Sequence, residues 1–402
     1  MALPTTTLVS PAALPAAAAP RPRLWELDAA RGLMLVLMLS THLPTRFAIP
    51  ASQPFGFVSA AEGFVLLSAY MAGRVYTRLA QRDGLPAMQR AFLQRAVKVY
   101  ACQAASLLFL FTVIAGLGLT LPQPDVQHLM WFYLHDPVTA LLASLALIYN
   151  PPLLDILPIY VMFMLLSPWV LSRGLRHGWR GILLFSAALW LAAQFGVSHL
   201  LYGYVTQWTG LPVPFSETGA FETFAWQALW VFGLWLGARH GGAADGPTRP
   251  FPRWMVAGAV VTAIVFFLWR HVTGHDAFPH GSPANLLFDK WHLGPLRLLN
   301  VGVLVLLAMH FDPWIRQNLP RVRWLETLGQ ASLPVFCAHL VIVLLAISAL
   351  GTPTPARPGW VDAAMYVCSV IALYGVARVA LGKRGMQEVG DRKAALSSGG
   401  PR

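Results

Sequence analysis

Long apolar segments alternate with short polar ones along most of this 402-residue chain. Ten of the apolar segments are long enough, or nearly long enough, to cross the hydrocarbon core of a bilayer as a helix. The pattern therefore predicts an all-α polytopic membrane protein with about ten transmembrane helices. These segments lie at residues 27–43, 55–74, 99–121, 153–173, 180–200, 221–238, 254–269, 295–310, 333–350 and 361–380.

An eleventh apolar segment, residues 138–149, is only twelve residues long and is followed by Asn150-Pro151-Pro152. If it does not cross, 23 of the 29 Lys and Arg residues lie on the side of both termini, four lie opposite, and two lie within segments. Because basic residues concentrate on the cytoplasmic side, this partition predicts that 138–149 is re-entrant or interfacial. It also predicts a membrane domain at 23–382, with disordered cytoplasmic tails at 1–22 and 383–402.

The composition supports a membrane protein and explains the strong positive charge. Hydrophobic residues make up 56% of the chain and charged residues only 11%, against about 25% charged in average soluble domains. A soluble enzyme, a disordered chain and a nucleic-acid binder are therefore disfavoured, and the lipid bilayer is the expected partner. The net charge of +12 is then an orientation signal. Three cysteines within apolar stretches give no disulfide framework.

The first apolar segment carries ionisable residues, which are costly in a membrane and therefore suggest function. At about 100° per residue, Asp28, Arg31 and His42 fall on one face of a helix, with Leu and Met residues behind them. Arg31 and His42 are separated by about 16 Å along the axis. The structural alternative is an interfacial Asp–Arg pair with a histidine at the level of the lipid headgroups.

Two further segments also contain buried charge. Glu62 lies about two turns into the second segment, where a carboxylate needs a partner or a proton. An arginine or histidine of the first segment is the obvious candidate, either in a structural ion pair or in catalysis. Arg297 lies in the eighth segment. His339, on an apolar face of the ninth, is expected to be structural.

No metal site is predicted. His271, His275 and His280 are separated by Gly274 and Pro279, which break a common helical face, and no carboxylate spacing accompanies them. Phosphate-binding glycine loops, serine nucleophile elbows and CxxC motifs are also missing from the sequence.

The run Glu26-Leu-Asp28…Arg31-Gly32…His42, followed by Ser59-Ala-Ala-Glu62-Gly-Phe-Val-Leu-Leu-Ser68-Ala-Tyr70, resembles the OpgC-like family of osmoregulated periplasmic glucan succinyltransferases. That family lies within a superfamily of membrane acyltransferases with an arginine in the first helix, ten residues, then a histidine. One departure is Ala69, where the family usually has glycine. The resemblance covers about residues 23 to 345 and includes the blocks Asp155-Ile-Leu-Pro158-Ile-Tyr160, Phe224-Ala-Trp226-Gln227, Lys290…Gly294-Pro-Leu-Arg297 and Ser332-Leu-Pro334-Val-Phe336-Cys.

The resemblance implies an enzyme of the bacterial inner membrane. It would transfer an acyl group, succinyl first among the candidates, from cytoplasmic acyl-CoA to a hydroxyl of a periplasmic glucan. Acyl-CoA is a co-substrate, with no bound cofactor, and Arg90, Arg95 and Lys98 could anchor its phosphates. The implied catalytic residues are His42, Arg31, Glu62 and Asp28, and the implied substrate-binding residues are Asp155, Tyr160, Trp226, Gln227, Lys290, His292 and Arg297.

Within this scheme His42 would deprotonate the acceptor hydroxyl or briefly carry the acyl group. Glu62 or Asp155 would orient its imidazole. Lys290, His292 and Arg297 would bind a dicarboxylic acyl tail or stabilise the oxyanion. Two alternatives stay open: transfer of another acyl group to a different polysaccharide, and a transporter or flippase for a glycan or an anionic small molecule. No internal repeat of the kind common in transporters is evident.

Overall fold

The computed structural model describes residues 24–120, 123–241, 251–354 and 357–398, and every regular element in these ranges is helical. The prediction of an all-α polytopic membrane protein is confirmed. The predicted tail at 1–22 lies outside the described residues, as do residues 399–402. The helices are α1 (Trp25–His42), α2 (Ala48–Ala51), α3 (Ala60–Asp83), α4 (Leu85–Phe109), α5 (Ala115–Thr120), α6 (Pro124–Leu129), α7 (Trp131–His135), α8 (Pro137–Leu145), α9 (Ile156–His177), α10 (Arg180–Gln194), α11 (Val197–Thr209), α12 (Thr223–Gly241), α13 (Arg253–Thr273), α14 (Pro295–Asn318), α15 (Arg323–Gln330), α16 (Ser332–Leu350) and α17 (Gly359–Ser398).

The number of strongly apolar helices is lower than the predicted ten. In the described part of the chain, six helices are long and apolar enough to cross a membrane, or seven if α10 and α11 form one bent span. Helices α1, α3 and α12 occupy predicted segments but are not among them. Each carries charged residues within its length, and the three pack mainly against other helices of the protein.

The segment at 138–149 does not form a long helix. Helix α8 has nine residues, about 14 Å of rise, roughly half of the hydrocarbon thickness. The directions of the long helices agree with this. Arg31 contacts Ser332 and His42 contacts His339, so α1 and α16 run parallel. If α10 and α11 together form one span, a full crossing at 138–149 would make this pair antiparallel.

The predicted segment at 180–200 is broken in two. Helices α10 and α11 meet at an angle of 78°, and Gly196 between them has a φ of +71°, which a glycine adopts without strain. Helix α11 has no buried residue, and its Trp208 is 90% exposed. Helix α11 therefore lies on the outside of the bundle, where its apolar side chains are available to lipid.

Small residues allow α3 and α12 to pack with their backbones close together. Gly233, Gly237 and Gly241 recur every four residues on α12. A side chain at Gly237 would collide with the carbonyl of Tyr70, and a Cβ at Gly233 would lie 2.6 Å from the Cβ of Ala69. This is the small-residue packing typical of membrane helices. The methyl group of Ala69 fills this contact.

Helix α1 is held against the short helix α15 by two further glycines. A Cβ at Gly32 would collide with the carbonyl of Leu325, and one at Gly329 would collide with the carbonyl of Asp28. The close approach leaves α1 with its apolar residues Leu35 and Leu39 fully buried in the core. The face that carries Arg31 and His42 is thereby turned toward α16.

Candidate functional site

Two histidines from distant parts of the chain meet in the bundle. His42, at the end of α1, places its Nδ1 2.9 Å from Nε2 of His339 on α16. The two rings stack with centroids 5.2 Å apart. Nδ1 of His339 lies 3.0 Å from the carbonyl oxygen of Phe336. His339 is completely buried, whereas His42 stays partly exposed. We call these two residues the histidine pair.

A buried ion pair lies within electrostatic range of Lys290. Nη1 of Arg297, at the start of α14, is 2.5 Å from Oε1 of Glu62 in the first turn of α3. The other oxygen of Glu62 accepts hydrogen bonds from the backbone and hydroxyl of Ser59, a capping box that begins α3. Nε of Arg297 donates to the carbonyl of Phe288 at 2.9 Å. Both charged groups are therefore fixed by several partners.

The loop at residues 289–294 brings Lys290 close to this centre. Burial lowers the pKa of Lys290, the charge of Arg297 lowers it further, and the carboxylates of Glu62 and Asp155 raise it. Its Nζ lies 4.4 Å from the ring centre of Trp291, and it is within electrostatic range of His42. Lys290 is thus a basic group within electrostatic range of the partly exposed imidazole.

Side chains of two neighbouring helices hold this loop. Trp190 and Gln194 of α10 donate to the carbonyls of Leu293 and His292. The buried indole of Trp226 on α12 donates to the carbonyl of Trp291. Within the loop, the hydrogen bond from His292 to Asp289, at 2.8 Å, raises the pKa of His292. Lys290 is therefore carried on a loop that these four polar contacts keep in place.

A narrow cavity lies next to Phe336, which contacts His339. It has a volume of about 20 Å³, room for about one water. Its polar lining combines Arg31 of α1, Arg95 of α4, Tyr160 of α9 and Ser332 of α16. Nη2 of Arg31 donates to the hydroxyl of Ser332. We call this the arginine cavity, and Phe64, Leu157, Leu333 and Phe336 complete its lining.

Phe336 separates the arginine cavity from the histidine pair. Its ring lines the cavity, lies 5.1 Å from the ring of His339 and stacks on Phe64 at 5.8 Å. The carbonyl of the same residue accepts the hydrogen bond from His339. One layer of aromatic side chains therefore stands between two arginines and two imidazoles.

A larger cleft of about 420 Å³ opens beside the loop that carries Lys290. Aromatic rings of Tyr202, Phe215, Phe221 and Phe224 line it together with polar groups of Asn150, Glu222 and His292. Lys290 connects the cleft to the site, since its Nζ is 5.7 Å from the ring centre of Phe221. We call it the aromatic cleft.

The residues predicted for the site fall into three groups in the structure. His42 forms the histidine pair with His339, and Lys290 is within electrostatic range of both His42 and the ion pair of Glu62 and Arg297. Arg31 and Tyr160 line the arginine cavity, and His292 lines the aromatic cleft. Four others do not line these openings: Asp28 against α15, Trp226 under the loop, Gln227 bridging to Ser186 of α10 and Asp155 accepting from the backbone of Ala220.

Neither carboxylate considered for orienting His42 makes that contact. Glu62 binds Ser59 and Arg297, and Asp155 binds Ala220 at 3.1 Å. The partner of Glu62 also differs from expectation, because it is Arg297 of α14 and not a residue of the first helix. Among the described residues, no three or more His, Cys, Asp or Glu side chains are grouped as a metal site would require.

Comparison with known protein families identifies the family of this chain. The family model described as OpgC protein matches residues 23–384, which is nearly the entire chain. The chain belongs to the OpgC protein family. No curated protein and no solved structure matches it. The resemblance seen in the sequence blocks is confirmed at the level of the family, and this match supports a function of the OpgC kind.

Two residues of this OpgC-family chain, His339 and Arg95, lie at the site although the sequence did not predict them there. His339 was expected to be structural, since a single histidine in an apolar helix carries no signal of a partner 297 positions away. Arg95 was considered only as a loop anchor for phosphates, yet it lines the same cavity as Arg31. One feature of the sequence is shared by the two residues: each is an ionisable residue in a strongly apolar helix.

Proposed function

We propose that this OpgC-family protein is an inner-membrane O-acyltransferase that moves a succinyl group from cytoplasmic acyl-CoA to a hydroxyl of a periplasmic glucan. The observation that carries the proposal is the position of His42. His339, which contacts the imidazole of His42, lies against Phe336 of the arginine cavity, and Lys290, within electrostatic range of His42, lies against Phe221 of the aromatic cleft. A base between an anion-binding opening and a sugar-sized opening suits acyl transfer.

The donor enters through the arginine cavity in this proposal. Arg31 and Arg95 supply guanidinium groups for the anionic parts of coenzyme A or for the carboxylate of a succinyl group. Because the cavity holds about one water, the donor requires the side chains of Phe64 and Phe336 to turn aside. The thioester then reaches the imidazole of His42.

The acceptor occupies the aromatic cleft. Sugar rings pack their C–H faces on aromatic side chains, and their hydroxyls bind amides and carboxylates such as those of Asn150 and Glu222. The proton of the reacting hydroxyl moves to the His42 imidazole as its oxygen bonds to the thioester carbon. The carbon–sulfur bond then breaks, its electron pair leaves on sulfur, and the sulfur takes the proton from the imidazole. Lys290 stabilises the oxyanion formed between these steps.

The test uses His42→Ala in cells that lack the chromosomal copy. Mass spectrometry of the periplasmic glucan should show succinyl groups with the wild-type protein and none with His42→Ala, although both proteins insert to the same level. His271→Ala, which removes an exposed histidine on α13, is the matched control and should leave the glucan unchanged. Normal succinylation by His42→Ala would contradict the proposal.

Two further readouts separate this proposal from its alternatives. Acetylation adds no negative charge to the glucan, whereas each succinyl group adds one, so the glycan charge identifies the acyl class. Purified protein should consume acyl-CoA in the presence of glucan, with a dependence on His42. A carrier would leave acyl-CoA intact, and that result would overturn the assignment as an enzyme.

A further inference from the structure

The hydrogen-bond chain through the histidine pair assigns a proton to each ring. A backbone carbonyl can only accept, so the contact of His339 Nδ1 with the Phe336 carbonyl, at 3.0 Å, places a hydrogen on that nitrogen. Because His339 is completely buried in apolar surroundings, its neutral form is the one expected there. Its Nε2 then carries a lone pair and no hydrogen.

The second link follows from the first. Nε2 of His339 lies 2.9 Å from Nδ1 of His42, so the hydrogen of that contact belongs to His42. A neutral imidazole carries one hydrogen, and His42 therefore keeps Nδ1–H and presents an unprotonated Nε2. This is the tautomer that a general base or a nucleophile requires at Nε2.

We infer that His339 is a positioning residue that fixes the tautomer and the ring plane of His42, so that Nε2 of His42 is the reactive atom. It takes the part that a carboxylate was expected to play. The use of a neutral partner suits this location, since Glu62 is already held by Arg297 and Ser59, and a second buried carboxylate would need its own partner. The stacking of the rings at 5.2 Å limits rotation of His42 further.

The inference rests on the proposed function for its catalytic consequence, but the tautomer itself does not depend on it. In the proposed reaction, the hydroxyl proton moves to Nε2 of His42 while Nδ1–H stays bonded to His339. The imidazolium is then stabilised by the lone pair of His339. Lys290, the charged side chain within electrostatic range of His42, opposes this positive charge and favours rapid return of the proton to the leaving sulfur.

The kinetic test compares three substitutions of His339. Glutamine carries an amide oxygen the same number of bonds from Cβ as Nε2, so His339→Gln keeps an acceptor for His42. In His339→Asn the amide matches the position of Nδ1 and does not reach His42, and His339→Leu fills the volume without any acceptor. We expect kcat to fall at least about tenfold in the Asn and Leu variants and to stay within about threefold in the Gln variant. KM for succinyl-CoA and for glucan should stay within about twofold.

A purely structural role for His339 predicts a different pattern. Loss of turnover that follows only the amount of folded protein, or an equal loss in all three variants, would overturn the inference. A rise in KM at constant kcat would do the same, because the tautomer of the base affects the chemical step.

A spectroscopic test needs no turnover. The ¹⁵N resonances of histidine-labelled protein, with His42 assigned by its loss in His42→Ala, report which ring nitrogen carries hydrogen. We expect a protonated Nδ1 and a bare Nε2 in the wild type, and a shift toward Nε2–H in His339→Leu. A wild-type spectrum with hydrogen on Nε2 of His42 would refute the positioning role. If the wild type shows this tautomer but no acyl transfer, the proposed function fails and the hydrogen-bond chain stands.

Discussion

Breaking the ion pair between Glu62 and Arg297 should destabilise the protein far more than breaking a surface pair. The carboxylate is completely buried and the guanidinium is 3% exposed. Removal of one partner leaves the other charge buried and uncompensated, which costs about 3–5 kcal/mol. Because Gln at position 62 still accepts from the backbone of Ser59, the capping contribution lost in Glu62→Gln is limited to about 1 kcal/mol. Most of the expected loss is therefore electrostatic.

A double-mutant cycle isolates this electrostatic part. Glu62→Gln and Arg297→Met should each lower the free energy of unfolding by about 3 kcal/mol or more. The double variant lacks both charges of this pair, so its loss should be smaller than the sum of the two by about 2 kcal/mol or more. Equilibrium unfolding in mixed detergent micelles, followed by tryptophan fluorescence and circular dichroism, provides the measurement.

The control is Arg82→Gln, which removes the exposed contact between Arg82 and Asp83. No measurable change in unfolding is expected for it. The reasoning would be refuted if Glu62→Gln unfolded like the wild type, or if the losses of the two single variants added in the double variant. Either result would mean that water or another group already compensates the charge.

Three other predictions follow from the packing and the openings. Gly237→Ala should lower the amount of folded protein because its methyl group meets the carbonyl of Tyr70, whereas Gly258→Ala on α13 meets nothing within 4 Å and should be neutral; size-exclusion chromatography of fluorescently tagged protein distinguishes the two. Arg95→Met should raise KM for acyl-CoA about tenfold at unchanged kcat, as one charged contact is worth roughly 1.4 kcal/mol, and an unchanged KM would remove the cavity from the donor path. In a background where Ser replaces the three cysteines, a membrane-impermeant maleimide should label both His135→Cys and Pro152→Cys in intact cells, and Arg82→Cys only after permeabilisation; labelling of only one of the first two would make α8 a crossing helix.

Hydrophobic pattern and charge were sufficient for the gross architecture. Each predicted apolar segment contains a helix, and the short segment at 138–149 forms only α8. The pattern did not give the break at Gly196, because the apolar run continues through it and a single glycine does not specify a bend of 78°. It also overcounted strongly apolar spans, since polar residues lower the mean hydropathy of α1, α3 and α12.

The candidate site was predictable only within one helix at a time. The spacing of Arg31 and His42 placed them on one face of α1, and the structure agrees, since both contact α16. Partners from other helices were not predictable. Glu62 and Arg297 are separated by 235 positions, and many arginines could have satisfied the carboxylate. Only the three-dimensional packing of α3 and α14 selects one of them.

Glu62 is part of a charged pair with Arg297, whereas His42 is part of a neutral pair with His339. This difference explains why His42, and not Glu62, is expected to take part in the chemical step. A carboxylate that accepts from an arginine, a hydroxyl and a backbone amide has both oxygens already engaged and is held in place by the protein. His42 keeps some exposure, and its one identified hydrogen bond uses the nitrogen that faces His339. This difference between His42 and Glu62 can be tested with the Glu62→Gln variant. The folded fraction of Glu62→Gln should retain turnover that depends on His42, whereas fully folded His42→Ala should have none. If Glu62→Gln instead folds normally and loses all turnover, Glu62 belongs to the chemical step.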